Sequence, residues 1–407
     1  MIARMPNRLA TPVRRRDLLK LGIALPALST VGRLFAAPTS PARFLLVFLR
    51  GGYDCANFLI PYSSSYYYET RPHIAIARPD TASPKAAVAL DADWALAPIV
   101  RETLLPLFQQ RQLSFIPFAG TDDLSRSHFE TQDSIELGEP TQGQHNFASG
   151  FMARLVQVLG GSEPIAFTDS LPLVFHGGAD IPNVSLKGIG KPAFDERQTS
   201  LLTSMYAESH LESAVADGLE LRQEVADAMA DEMRVANRGA INTKGFALEA
   251  ERMGKLMRDT YRLGFVDVGG WDTHVNEGGA RGVLANNLDN LSRGLASFAA
   301  TLGEQWKNTV VVVVSEFGRT FRENGNGGTD HGHGSVYWVL GGSINGGSIV
   351  GEQRQIARAT LFQDRDYPVL NNYRAVLGGL FRSLWGLSSS QLEQIFPAAR
   401  PLDLQLV

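Results

Sequence analysis

Val310-Val311-Val312-Val313-Val314-Ser315-Glu316-Phe317-Gly318-Arg319-Thr320, with Gly327-Gly328-Thr329-Asp330-His331-Gly332-His333-Gly334 close behind, decides how the chain is read. An unbroken run of β-branched residues predicts a buried strand, and here it ends in a carboxylate, an arginine and a glycine-rich loop carrying Asp330, His331 and His333. Ligands of α/β folds sit at the carboxyl ends of strands. Two imidazoles beside carboxylates at such an edge are the residue types that a metal or acid–base site requires. The competing reading makes Glu316 a helix cap and the histidines solvated loop residues.

Three further strand ends repeat the pattern. Gly264–Val268 reads as a short strand running into Gly270-Trp271-Asp272-Thr273-His274, and in an extended segment Asp272 and His274 project to one side and can share an ion. Arg43–Leu49 is an apolar strand followed by Arg50-Gly51-Gly52-Tyr53-Asp54-Cys55, where glycines permit close backbone approach. Leu113–Phe118 leads through Gly120–Leu124 to Ser125-Arg126-Ser127-His128-Phe129-Glu130 at the start of an expected helix. A hydroxyl at a helix N-terminus faces free N–H groups, which suits a nucleophile or an anion site. Ser127 is equally read as an N-cap, with Glu130 completing a capping box.

Phe48–Asp54, Arg126–Phe129, Gly270–His274, Ser315–Thr320 and Gly328–Gly334 together resemble the signature blocks of the domain-of-unknown-function 1501 family, in that family's order. That family is sulfatase-like and resembles the alkaline phosphatase superfamily. The resemblance implies a largely parallel central sheet with helices on both faces. It also implies metal ligands at Asp54, Asp272, His274 and a late histidine, His331 or His333, with Ser127 as nucleophile. The superfamily's Asp-His-Gly falls on Glu316-Phe317-Gly318, and Phe317 cannot ligate, so His128 or Asp330 would have to replace the missing imidazole.

The amino-terminal residues point to a compartment. Arg14-Arg15-Arg16-Asp17-Leu18-Leu19-Lys20 resembles a twin-arginine export signal, and Leu21–Leu28 is an apolar stretch too short and too broken to span a bilayer. A signal peptide over residues 1–36, a single α/β domain over 41–407 and a periplasmic or extracellular destination are expected. The 407 residues, 44% hydrophobic and 20% charged, supply ample core. A net charge of −4 gives no electrostatic footprint for nucleic acid, and no later apolar stretch is long enough for an integral membrane span. The single Cys55 forbids an internal disulfide and reads as a buried structural thiol.

Between the clusters, Pro61–Pro98 reads as irregular cover, and residues 199–262 as a helical insertion, with Leu201, Leu202, Met205, Leu211, Leu219, Leu221, Val225, Met229 and Met233 at helical intervals. Leu284–Leu302 is an amphipathic helix feeding the valine strand, and Val336–Leu340 a further strand in a strand–helix alternation. The expected activity is metal-dependent hydrolysis of a small anionic phosphate or sulfate ester. Asp54, Asp272, His274, Glu316, Asp330, His331 and His333 are the candidate ligands for a divalent ion, zinc first, with calcium, magnesium or manganese as alternatives. Ser127, Arg126, His128 and Arg319 are the candidate catalytic residues. The alternative is a non-catalytic exported protein that binds a metal or a protein partner on the same fold.

Overall fold

The computed structural model describes residues 41–178, 180–186, 196–207, 209–219 and 246–407. The export-signal reading of residues 1–36 and the helical positions Leu221, Val225, Met229 and Met233 lie outside the described residues.

The strands in chain order are β1 (Arg43–Leu49), β2 (Leu59–Ile60), β3 (Val88–Ala89), β4 (Ala95–Leu96), β5 (Leu113–Gly120), β6 (Pro164–Ala166), β7 (Leu263–Val268), β8 (Thr309–Ser315), β9 (Ser335–Gly341) and β10 (Asn371–Asn372). Seven of them form one sheet in the order β10-β5-β9-β8-β1-β7-β6. β8, β1, β7 and β6 run parallel, with Val313 beside Val47 and Val47 beside Val266. The valine run and the apolar β1 thus lie side by side at the sheet centre, where strands covered on both faces must be hydrophobic throughout.

Alternation along these strands divides the core in two. Phe44, Leu46, Phe48, Val310, Val312 and Val314 face the layer that contains helices Phe151–Leu159, Tyr373–Trp385 and Ser389–Ile395. Leu45, Val47, Leu49, Val311 and Val313 face the layer of helices Phe246–Asp259 and Val283–Leu302. The expected helices on both faces are therefore present. The tail of the expected insertion, Phe246–Asp259, belongs to this covering layer, with Ala250, Met253 and Met257 buried. Leu201, Met205 and Leu211, read as an apolar helical face, are exposed.

Two expectations need correction. Residues 61–98 are not wholly irregular: they hold a helix at Ser65–Thr70 and, through β3 and β4, most of a small antiparallel sheet, β2-β4-β3. The strand–helix alternation also breaks after β8. The chain turns through residues 316–334 and returns as β9, antiparallel to β8 and to β5. That stretch lacks the apolar periodicity of a crossover helix, so a direct return is what it can form. Both of its ends consequently lie at the carboxyl edge of β8, and its glycine-rich body must fold above that edge.

Candidate metal centre

The 316–334 loop closes on itself as a narrow ladder. Gly332 N–H donates to Gly318 O at 2.9 Å, Gly318 N–H to His333 O at 3.0 Å and Thr320 N–H to Asp330 O at 2.8 Å. This sets His331 opposite Arg319. A Cβ at Gly332 would lie 2.4 Å from the Arg319 carbonyl, so the ladder can close only with glycine there. Phe317, 2% exposed, packs beside the rings of His128 and His331, with centroids 4.9 and 5.1 Å away. A Cβ at Gly52 would fall 2.4 Å from the Phe317 ring, at φ +60°, which explains the glycine pair after β1.

Three imidazoles converge above this edge. His331 Nε2 lies 3.0 Å from His128 Nε2, 3.1 Å from His274 Nε2 and 3.2 Å from Asp272 Oδ1. Asp272 Oδ1 is 2.9 Å from His274 Nε2, and its Oδ2 is 3.6 Å from His128 Nε2. The donor atoms of His128, Asp272 and His331 all fall within 4.8 Å of one another.

The other ring nitrogen of each histidine faces an acceptor. His128 Nδ1 meets Glu316 Oε1 at 2.8 Å, His274 Nδ1 meets Asp330 Oδ1 at 3.2 Å and His331 Nδ1 meets the Arg126 carbonyl at 3.0 Å. Each acceptor favours a proton on Nδ1, which in the neutral ring leaves the lone pair on Nε2. Three lone pairs and a carboxylate at such distances repel one another unless positive charge lies between them. A proton relieves one contact; a divalent cation relieves them all. Zinc–nitrogen bonds of about 2.0–2.1 Å in a tetrahedron put ligand atoms about 3.3 Å apart, close to the 3.0, 3.2 and 3.6 Å spacings among His128, His331 and Asp272, whereas His274 neighbours His331 and Asp272 without joining the mutually close set. The set His128, Asp272 and His331 fits a divalent metal, and the Glu316–His128 pair is the kind of outer partner that metal-bound imidazoles ordinarily carry.

The electrostatics agree with this division of labour. Burial would raise the Glu316 carboxyl, but hydrogen bonds from His128, Gln132 and backbone N–H groups take it below its ordinary value. The hydrogen bond to Glu316 in turn raises His128, whereas burial and then the His128 charge lower His331. Partial burial would push Asp272 up, yet the hydrogen bond and charge of Arg319 take it down.

The structure thus sorts the expected site residues. It brings together Asp272, His274 and His331, and places beside them His128, read both as a catalytic residue and as a replacement imidazole. Glu316 and Asp330, read as ligands, lie one bond further out, because their carboxylates hold the Nδ1 protons of His128 and His274. Arg319, read as an anion clamp, has a side chain with no exposed area: it donates to Asp272 Oδ1 at 2.6 Å and to the Thr329 hydroxyl and carbonyl, and so orients a ligand. Arg126, read the same way, donates to Asp366 Oδ2 at 2.7 and 3.0 Å and to Gln363 at 2.7 Å, and only its carbonyl reaches the cluster. His333 stands apart, packed on Phe362, and burial lowers its pKa to about 4.

Asp54 is also held away from the cluster. Its two oxygens accept from Arg71 Nη1 and Nη2, the latter at 3.0 Å, and both residues are buried. Arg71 donates onward to the carbonyls of Phe321 and Thr320 at 2.7 and 3.0 Å, which ties the β1 edge to the 316–334 loop. Burial would raise Asp54, but Arg71 takes it below its ordinary value. Buried Glu277 is pushed well above the usual range by burial and by the Asp54 charge, and its Oε2 accepts from Thr273 and Thr329. Cys55 is buried with its thiol pKa raised, as a structural thiol would be.

Ser127 is the backbone cap of helix His128–Leu137, but its hydroxyl makes no capping hydrogen bond and Glu130 completes no capping box. The side-chain cap reading therefore fails, and a half-buried hydroxyl remains next to His128.

The sequence signature of the proteins of unknown function called DUF1501 matches residues 41–396, and the chain belongs to that family. Among solved structures, it is similar to an alkaline phosphatase superfamily protein from Vibrio parahaemolyticus at 11% identity and a TM-score of 0.34, over 75% of this chain and 62% of that one. A second is the soluble domain of lipooligosaccharide phosphoethanolamine transferase A from Neisseria meningitidis, at 11% identity and a TM-score of 0.35, over 75% and 78% of the two chains. The alkaline phosphatase of the Antarctic bacterium TAB5 matches at 10% identity and a TM-score of 0.29, over 74% and 92%. No curated protein matches the chain in sequence.

Arg71→Met should lower stability by about 3–5 kcal/mol, because it leaves the Asp54 charge buried without its partner. Urea unfolding of the variant beside the parent protein checks this, and a loss below about 1 kcal/mol would show that the pair does not anchor the loop.

Proposed function

We propose that the protein is a metal-dependent hydrolase of phosphate or sulfate esters. The observation behind this reading is the convergence of three Nε2 lone pairs and the Asp272 carboxylate in one small volume. Three imidazoles favour zinc over calcium or magnesium, which prefer shells made of oxygen. When bound, a divalent ion supplies positive charge to the ester's anionic oxygens and lowers the pKa of a hydroxyl beside it.

The chain's own residues supply the rest. His128, His331 and Asp272 would hold the ion, with His274 beside them as a further candidate ligand, while Glu316, Asp330, the Arg126 carbonyl and Arg319 hold these side chains in place. Ser127 is the candidate nucleophile. Its hydroxyl is free of capping duty at the start of a ten-residue helix, where unpaired N–H groups favour an anion. Attack by its oxygen would form the bond to phosphorus or sulfur as the bond to the ester oxygen breaks, the hydroxyl proton leaving with that oxygen as the alcohol, and water would then cleave the seryl ester to release the acid and restore the hydroxyl.

One observation favours a non-catalytic, metal-binding or partner-binding role instead: the guanidinium groups of Arg126 and Arg319 are both committed to aspartates, leaving neither free to steady an anion. The two readings separate on substitution. Ser127→Ala should keep its metal and its fold and lose at least a hundredfold in turnover of an aryl phosphate or aryl sulfate, whereas Asp272→Ala and His274→Ala should lose metal. Unchanged turnover in Ser127→Ala removes the serine mechanism.

We also propose export through the twin-arginine route, supported by Arg14–Lys20 and the apolar stretch behind it. Replacing Arg15 and Arg16 by Lys should keep the precursor in the cytoplasm on fractionation, and undiminished export would remove the assignment.

A further inference from the structure

We propose that Gln132 is a positioning residue of the metal centre and that Arg50 holds it in its working orientation, an inference that rests on the metal-centre reading above. Gln132 lies one helical turn beyond His128, so the two side chains leave the same face of helix His128–Leu137. Both grip one atom: Glu316 Oε1 accepts from His128 Nδ1 at 2.8 Å and from the Gln132 amide nitrogen at 2.8 Å. Gly51 N–H donates to the same oxygen at 2.8 Å, and Ser315 Oγ donates to Oε2 at 2.9 Å. Ser315 Oγ also lies 2.7 Å from the Leu49 carbonyl, so the three donors on Oε1 are the firm ones, and in this buried position they set the plane of the Glu316 carboxylate.

An amide can turn over and offer its oxygen instead. Arg50 prevents this. Its Nη1 donates to Gln132 Oε1 at 2.8 Å, and a guanidinium can only donate, so the amide oxygen must face Arg50 and the amide NH2 must face Glu316. Arg50 is itself held at its other nitrogens, by Asp267 through Nε and by Glu136 through Nη2, each at 2.8 Å. Glu136 is fixed in turn by Val174 N–H at 3.0 Å. A chain of directed hydrogen bonds therefore runs from the carboxyl edge of β1 and β7 through Arg50, Gln132 and Glu316 to the His128 ring. Its outcome is the direction in which His128 Nε2 points. Gln132 touches none of the converging donor atoms and acts only through Glu316.

Two substitutions test the inference, with zinc affinity measured by chelator competition and the visible absorption of the cobalt-substituted protein as a second readout. Gln132→Met fills the same space without hydrogen bonds. Gln132→Glu keeps an acceptor for Arg50 but removes the donor to Glu316. Both variants should unfold cooperatively, bind zinc about 10–100-fold more weakly and show a changed cobalt spectrum. Wild-type affinity and spectrum in both variants would overturn the inference. Wild-type behaviour in Gln132→Glu with a loss only in Gln132→Met would also overturn it, since anchoring Arg50 would then be the residue's whole role. A parent protein that binds neither zinc nor cobalt at the cluster would instead bring down the metal-centre reading itself.

Discussion

The ring nitrogens of His128 and His331 crowd against the Asp272 carboxylate, with His274 beside them, and the carboxyl edge of the sheet is organised around that crowding. The lone pairs point inward because every Nδ1 is already committed to Glu316, to Asp330 or to the Arg126 carbonyl. Glu316 and Asp330 come from the loop after β8 and the Arg126 carbonyl from the segment after β5, while His274 follows β7. They meet because β8, β1 and β7 end side by side and because the chain turns back after β8 as an antiparallel strand.

Charges that do not face the cluster are neutralised locally. Asp54 is matched by Arg71, Asp366 by Arg126 and Asp267 by Arg50, so the buried edge has few uncompensated carboxylates. The Asp54–Arg71 pair is a structural clasp between β1 and the loop above β8. Breaking such a pair costs more than its formation contributes, because the surviving charge stays buried. This accounts for an aspartate beside the site that nevertheless directs both its oxygens at an arginine.

Much of this was legible in the sequence. The valine run could only be a buried strand, and residue types that are costly to bury gathered at strand ends, which located Asp272, His274 and His331. What was not legible was the role each would take. Glu316 and Asp330 read as ligands, since a carboxylate beside an imidazole has the same local signature whether it binds the ion or the ring's other nitrogen. Arg71 gave no signal, for its partners lie 17 and about 250 residues away and meet it only in the fold. Gln132 could have been found, since its four-residue spacing from His128 places both on one helix face. The direction of β9 was missed because an apolar strand looks the same whether it is entered from a helix or from a returning loop.

X-ray absorption at the metal edge of protein purified without chelators reads the ligand shell of the cluster itself. One divalent ion per chain is expected, in a shell that contains the imidazole nitrogens of His128 and His331 and the Asp272 carboxylate oxygen at about 2.0–2.1 Å, with the imidazole scattering weakened in His331→Ala. A protein free of metal, or an ion surrounded only by oxygen, would contradict it.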